Sequence, residues 1–167
     1  MNISFDQMPS SARAWVYTAN RILTPAESNL LMERLTPFLT EWSSHGTPLK
    51  ASVQILDQSV VVIAVENGFE AASGCSIDKS VRILKDLEQE LTVSMFDRLQ
   101  ILYKKEASAA AEVLPLPLFK DKLAAGEINA EGLIVNTQVA TVGELKSELW
   151  KEVKDSWLAR FLPSTAV

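Results

Sequence analysis

One cysteine and one histidine in 167 residues remove several kinds of chemistry at once. A lone cysteine makes no internal disulfide and no cysteine-based zinc site, and a lone histidine leaves no histidine-rich metal centre. No metal set and no cofactor motif is therefore expected. Basic residues are outnumbered, 16 Lys and Arg against 21 Asp and Glu for a net charge of −5, and they form no cluster. That argues against a nucleic-acid or acidic-membrane partner. There is no run of about 18 apolar residues to span a membrane. Residues 1–10 lack the basic segment and long apolar run of a signal peptide. The cytoplasm is the expected compartment.

What remains is ordinary globular material, 47% hydrophobic and 22% charged. The chain is long enough for one well-filled core, or a core with an appendage. After a loose lead-in over residues 1–10, residues 12–19 read as a strand with Trp15 and Tyr17 at alternate positions. Thr24-Pro25-Ala26-Glu27 is a capping box with proline at the first helical position. It opens a helix with Leu31, Leu35, Phe38 and Trp42 as its buried stripe and Pro37 as a kink. Residues 43–48 form a turn around His45-Gly46. Two strands follow, 49–56 and 60–66; the second is almost wholly apolar and is predicted to be central and buried on both faces. Residues 67–72 are a loop into a second helix, and 99–103 a fourth strand.

This β-α-β-β-α-β order is that of an α+β, ferredoxin-like split βαβ sheet with two helices on one face. The predicted division is a core over 1–105 and a C-terminal extension over 106–167. In the extension, residues 104–112 connect, 117–125 form a short helix stopped by Gly126, and 133–135 form a strand. A second capping box, Thr141 to Glu144, opens a helix toward Trp150. A last helix carries Trp157, Leu158, Phe161 and Leu162.

The chemistry-bearing stretch is Ser73-Gly74-Cys75-Ser76-Ile77-Asp78-Lys79-Ser80. Ile77, Val81, Leu84, Leu87 and Leu91 recur at helical spacing, and Asp78, Arg82 and Asp86 make four-apart charge pairs on the wet side. Ser73 and Ser76 can cap the helix start, whose amides favour an anion or a thiolate. The stretch departs from a Walker A loop: Lys79-Ser80 is there, but Ser73 and Asp78 stand at the two glycine positions. A Walker-type ATPase is therefore not expected.

Three blocks, residues 15–21, 73–81 and 154–161, together resemble a family of small uncharacterised bacterial proteins across most of the chain. Members are sometimes labelled ABC transporter ATPases. The missing Walker glycines and the lack of a Leu-Ser-Gly-Gly-Gln signature speak against that label here. The resemblance implies kinship and brings no activity.

The expected function is a non-enzymatic binding or interaction domain, because no acid–base pair stands at recognisable spacing. A sheet with helices on one face needs cover on the other, from the C-terminal section, another protein or a second copy in a homodimer. The alternative is a small-anion or phosphometabolite site built from Cys75, Ser76, Lys79 and Ser80. Cys75 is also the candidate catalytic residue of a thiol-dependent enzyme or redox sensor, with His45 as a possible base. Arg21, at the end of the first strand, either binds an anion or pairs with a carboxylate. Asp155, Ser156 and Arg160 read as capping and pairing around the last helix. The four tryptophans read mostly as core, with Trp15 as a possible interface residue.

Overall fold

The computed structural model describes residues 1–66 and 72–163. Its first sheet is antiparallel, with β5 (Val60–Val65) between β1 (Arg13–Thr18) and β4 (Ala51–Leu56). The central place of β5 follows from its composition. All six side chains are buried, so both faces must be covered, the Val and Ile side chains contributing about 1.5–3 kcal/mol each and Ala64 less. The turn between β4 and β5 places Asp57 and Gln58 at positive φ without a glycine. That costs on the order of 1 kcal/mol per residue. It is held by Leu23 N–H donating to Gln58 O (2.7 Å) and by an ion pair from Lys104 to Asp57 (2.5 Å).

Helix α1 (Pro25–Glu41) begins as its capping box predicts: Thr24 Oγ1 accepts from Glu27 N–H, and Glu27 accepts from Thr24 N–H. The helix runs through Pro37, which lies on its exposed face, and buries Leu31, Leu35 and Leu39. Phe38 is half-buried and leans on Trp42 instead of entering the stripe. The predicted turn after α1 is a small hairpin, β2 (Ser43–Ser44) with β3 (Thr47–Pro48). His45 and Gly46, both at positive φ, supply the left-handed pair that a two-residue hairpin turn requires. The lead-in is not loose. Asn2 bridges Ala51 of β4 in parallel, and Met8 is buried.

Helix α2 (Gly74–Leu91) lies beside α1, and both cover one face of the first sheet around Leu35, Leu39, Val61, Ile63, Leu84 and Leu87. The charge pairs expected along α2 are not formed among the described residues. Arg34 of α1 reaches across to Glu90 at 2.9 Å.

β6 (Gln100–Lys104) departs from the predicted topology. In a split βαβ sheet it would pair with β1. It pairs instead with β7 (Glu112–Pro115) and β8 (Leu133–Val135) in a second sheet of order β7-β6-β8-β9, closed by β9 (Trp150–Glu152). The reason lies in alternation. Ile101 and Tyr103 face a separate core with Phe119 and Leu123 of α3 (Leu116–Ala124), while Leu102 faces the first sheet. The C-terminal section therefore owns a core of its own. With α4 (Val142–Glu148), its inner face packs on Ala14, Val16, Val60, Val62 and Ala64. The result is four layers: helices, sheet, sheet, helices. The sheet face whose need for cover suggested a homodimer is covered by the chain's own second half. The last segment is a 3-10 turn (Trp157–Phe161), not an α-helix, and it buries Leu158. Among the described residues, no helix is long and apolar enough to cross a membrane.

Candidate functional site

The start of α2 is well made, but most of its polar groups are spent locally. Ser73 Oγ accepts from Ser76 N–H (3.3 Å), and Ser76 Oγ donates to Ser73 O (2.8 Å). Ser80 Oγ donates to Ile77 O (2.7 Å). Both hydroxyls are on the buried face, where Trp42 Nε1–H donates to Ser76 O (2.9 Å). Cys75 and Lys79 lie on the exposed face. The four residues therefore split into an inward pair and an outward pair. Ser44 Oγ accepts from Ser73 N–H (3.3 Å), so the hairpin carrying His45 does approach this helix start. No hydrogen bond between His45 and Cys75 is formed among the described residues. Residues 67–71 of the expected entry loop lie outside the described residues.

Arg21 is at the other end of α2. Its guanidinium grips Glu27 with two bonds (2.9 and 2.7 Å) and donates to Leu91 O (2.9 Å), a carbonyl of the last turn. An 18-residue helix spans about 27 Å, which separates Arg21 from Cys75. The Arg21 bonds, followed by the Thr24 amide, hold the Glu27 carboxyl down at about 2. The carboxylate-pairing alternative for Arg21 is the one observed.

A different place collects polar groups. A cleft of about 290 Å³ opens between the outer edge of β1 and the second sheet, and an adjoining one of about 320 Å³ shares Arg98, Ile134, Val135, Thr137 and Trp157 with it. Its floor is the edge of β1. Ala14 N–H donates to Ala140 O (2.8 Å) and Val142 N–H to Ala12 O (2.9 Å), so even-numbered residues of β1 turn their backbone groups outward. By the same alternation, Val16 and Thr18 present N–H and C=O groups to the cleft. Thr18 is only 6% exposed, and its Oγ1 has no hydrogen-bond partner among the described residues.

Arg13 and Arg98 stand along the cleft, both exposed and neither in an ion pair among the described residues. Arg13 rests over the Trp15 ring, 4.6 Å from its centroid. Asp97 is occupied: the Gln100 amide (3.0 Å) and the Leu99 N–H (2.9 Å) donate to it and lower its pKa. Tyr17 lines the same space against Phe96, and burial raises its pKa. Trp157, 43% exposed, joins the two clefts with Arg160 stacked 5.3 Å from its ring centroid. It is a surface residue, not core. Asp155 and Ser156 line the second cleft beside it, and Ser156 Oγ caps the 3-10 turn by accepting from Leu158 N–H (3.1 Å).

Neither His45 nor Cys75 lines either cleft. Among the described residues, no group of three His, Cys, Asp or Glu is placed to hold a metal. The arrangement offers donors, an open strand edge and aromatic surface. Sequence reading passed over this cleft because its walls come from residues 13–18, 95–102, 134–140 and 157. The one local signal was that β1 carries polar and aromatic residues in a strand later found at an edge. No family model, curated protein or solved structure matches the chain.

Proposed function

We propose that this protein is a non-enzymatic binding domain whose ligand enters the cleft along β1. The observation that carries this reading is the convergence there, among the described residues, of two arginines without ion pairs, a buried hydroxyl without a partner and a strand edge left open between Ala14 and Asn20. Buried polar groups are ordinarily bonded, and the orphaned Thr18 hydroxyl belongs to a residue that lines the cleft. Two of the blocks that carry the bacterial resemblance, 15–21 and 154–161, contribute to its walls. The scaffold is the β1-β5-β4 part of a ferredoxin-like unit with α1 and α2, and the proposed setting is the cytoplasm. The test is a thermal-shift screen of metabolites and peptides followed by amide chemical-shift mapping. A stabilising ligand should move the signals of Val16, Thr18, Gln100 and Thr137. Stabilisers that move only residues 74–80 would sink this reading.

The exposure of Cys75 favours a second reading, a thiol-dependent role with Lys79 one turn on. Iodoacetamide should then label the folded protein at Cys75, and Cys75→Ser should abolish any associated activity. A thiol that labels only after denaturation ends that reading. The anion-site version keeps only Lys79 and the first-turn amides, since Ser76 and Ser80 turn inward.

A further inference from the structure

We infer that the occupant of the cleft is an extended acidic peptide segment that adds to β1 as a strand; this rests on the binding reading above and names its ligand. Three observations choose a strand over a compact small molecule. The first is the ladder on the outer edge of β1, made by residues 140–142 at one end and by Asn20 N–H donating to Ser94 O (2.8 Å) at the other, and open between them over Val16 and Thr18. Upstream of Ala140 the chain leaves β1: Asn136 N–H donates to Leu149 O (2.7 Å) and Gln138 N–H to the Asn136 side-chain Oδ1 (3.2 Å). The wedge between this departing segment and β1 is the cleft itself. The open edge over residues 16–18, half-buried at Val16 and buried at Thr18, is about 10 Å long, enough for three residues of extended chain.

The second observation is where the gap lies in the topology. The outer edge of β1 is where a split βαβ sheet keeps its fourth strand, and β6 has left that position for the second sheet. A guest strand restores the missing neighbour and satisfies the Val16 and Thr18 backbone groups. Main-chain bonds of this kind supply affinity in β-strand addition, and side-chain pockets supply specificity. Thr18, more than nine-tenths buried, lines the cleft and carries a hydroxyl without a hydrogen-bond partner among the described residues.

The third observation is charge. In a chain of net −5, two arginines without carboxylate partners among the described residues stand along one cleft. Asp97 lines the same cleft as a carboxylate held by Gln100 and Leu99, so two arginines against one carboxylate leave the cleft net positive. A carboxylate flanking the guest's apolar residues would meet Arg13 or Arg98 with the paired geometry that guanidinium favours.

The experiment uses the whole protein and three synthetic peptides. The first is acetyl-Glu-Val-Thr-Val-Glu-amide, the second carries Lys for both Glu, and the third is the first with its central backbone nitrogens methylated. Phenylacetate serves as a compact anionic probe. The first peptide should shift the cleft amides and slow hydrogen exchange at Val16 and Thr18. The lysine and N-methyl peptides should each bind at least about tenfold more weakly, as should the first peptide to the Arg13→Gln, Arg98→Gln double variant. Circular dichroism melting should show that variant still folded at the wild-type Tm. Equal binding by the N-methyl peptide overturns strand addition, and equal binding by the lysine peptide overturns the acidic assignment. If phenylacetate shifts the cleft signals and no peptide does, the peptide inference falls while the cleft reading stands. If neither probe shifts them, both fall.

Discussion

Replacing Thr18 by valine should make the free protein more stable and a worse binder. Threonine and valine have nearly the same shape, so Thr18→Val exchanges a hydroxyl for a methyl group and leaves the volume filled. In water the hydroxyl is hydrogen-bonded; at 6% exposure with Oγ1 unpartnered, folding takes those bonds away and returns none. An unsatisfied buried polar group costs about 1–3 kcal/mol. Valine removes that cost and adds a little apolar burial beside Ala14 and Val16. The net expectation is a gain of about 1–2 kcal/mol. For a chain of this size that raises Tm by on the order of 4 °C. Urea titrations should show a higher midpoint at unchanged m-value, which identifies a stability change and not a change in compactness. Thr18→Ser, which keeps the hydroxyl and loses the methyl, should cost about 1 kcal/mol. A Thr18→Val protein destabilised by 1 kcal/mol or more would refute the reasoning. The hydroxyl would then be hydrogen-bonded in the free protein and not an orphan.

Other expectations follow from single contacts. A Cβ at Gly132 would sit 2.5 Å from the buried Tyr103 ring, which packs edge-on to Phe119, so Gly132→Ala should cost at least about 1–3 kcal/mol by chemical denaturation, with near-ultraviolet dichroism altered at Tyr103. Lys104 pairs with Asp57 and lies over the Trp150 ring (4.5 Å). Lys104→Met keeps the aliphatic stem and should cost about 2 kcal/mol, below the roughly 3–5 kcal/mol of a fully buried broken pair because Asp57 is 28% exposed; an unchanged urea midpoint would count against the pair. Glu27 is held at about 2 against an ordinary 4.5, a depressed carboxylate pKa. Its contribution is therefore present above about 4.5 and is lost as pH falls toward 2. Glu27→Gln should flatten the acid side of the stability profile in that window, and an identical acid limb in both proteins would contradict the Arg21–Glu27 grip.

The elements most legible in the sequence were those written in adjacent residues. The all-apolar run 60–65 can be buried only on both faces, and it became the central strand. The Thr24 capping box is complete within four residues, so it formed wherever the helix was going to lie. The second box formed in altered shape: Thr141 Oγ1 accepts from Glu144 N–H, but the Glu144 carboxylate reaches back to Ala140 N–H. At α2 the hydrophobic spacing located the helix but misjudged its inward face near the start. Ser76 and Ser80 turn in because each hydroxyl can be satisfied by a carbonyl three residues back. Their small size also lets the β2–β3 hairpin approach, while Ile77 and Val81 stay half-buried.

What the chain alone could not convey was partnership at long range. Alternation in β6 says that both of its faces are covered, not which strand it bonds to, because the ladder is made by backbone groups that every residue carries alike. Only the tertiary structure decided that Ile101 and Tyr103 would meet Phe119, and that decision drew β6 away from β1. The cleft is the consequence. It is a gap between two sheets, lined by segments more than a hundred residues apart. Sequence determined which segments were strands and which faces were apolar. The competition among those faces for burial determined which edge was left open.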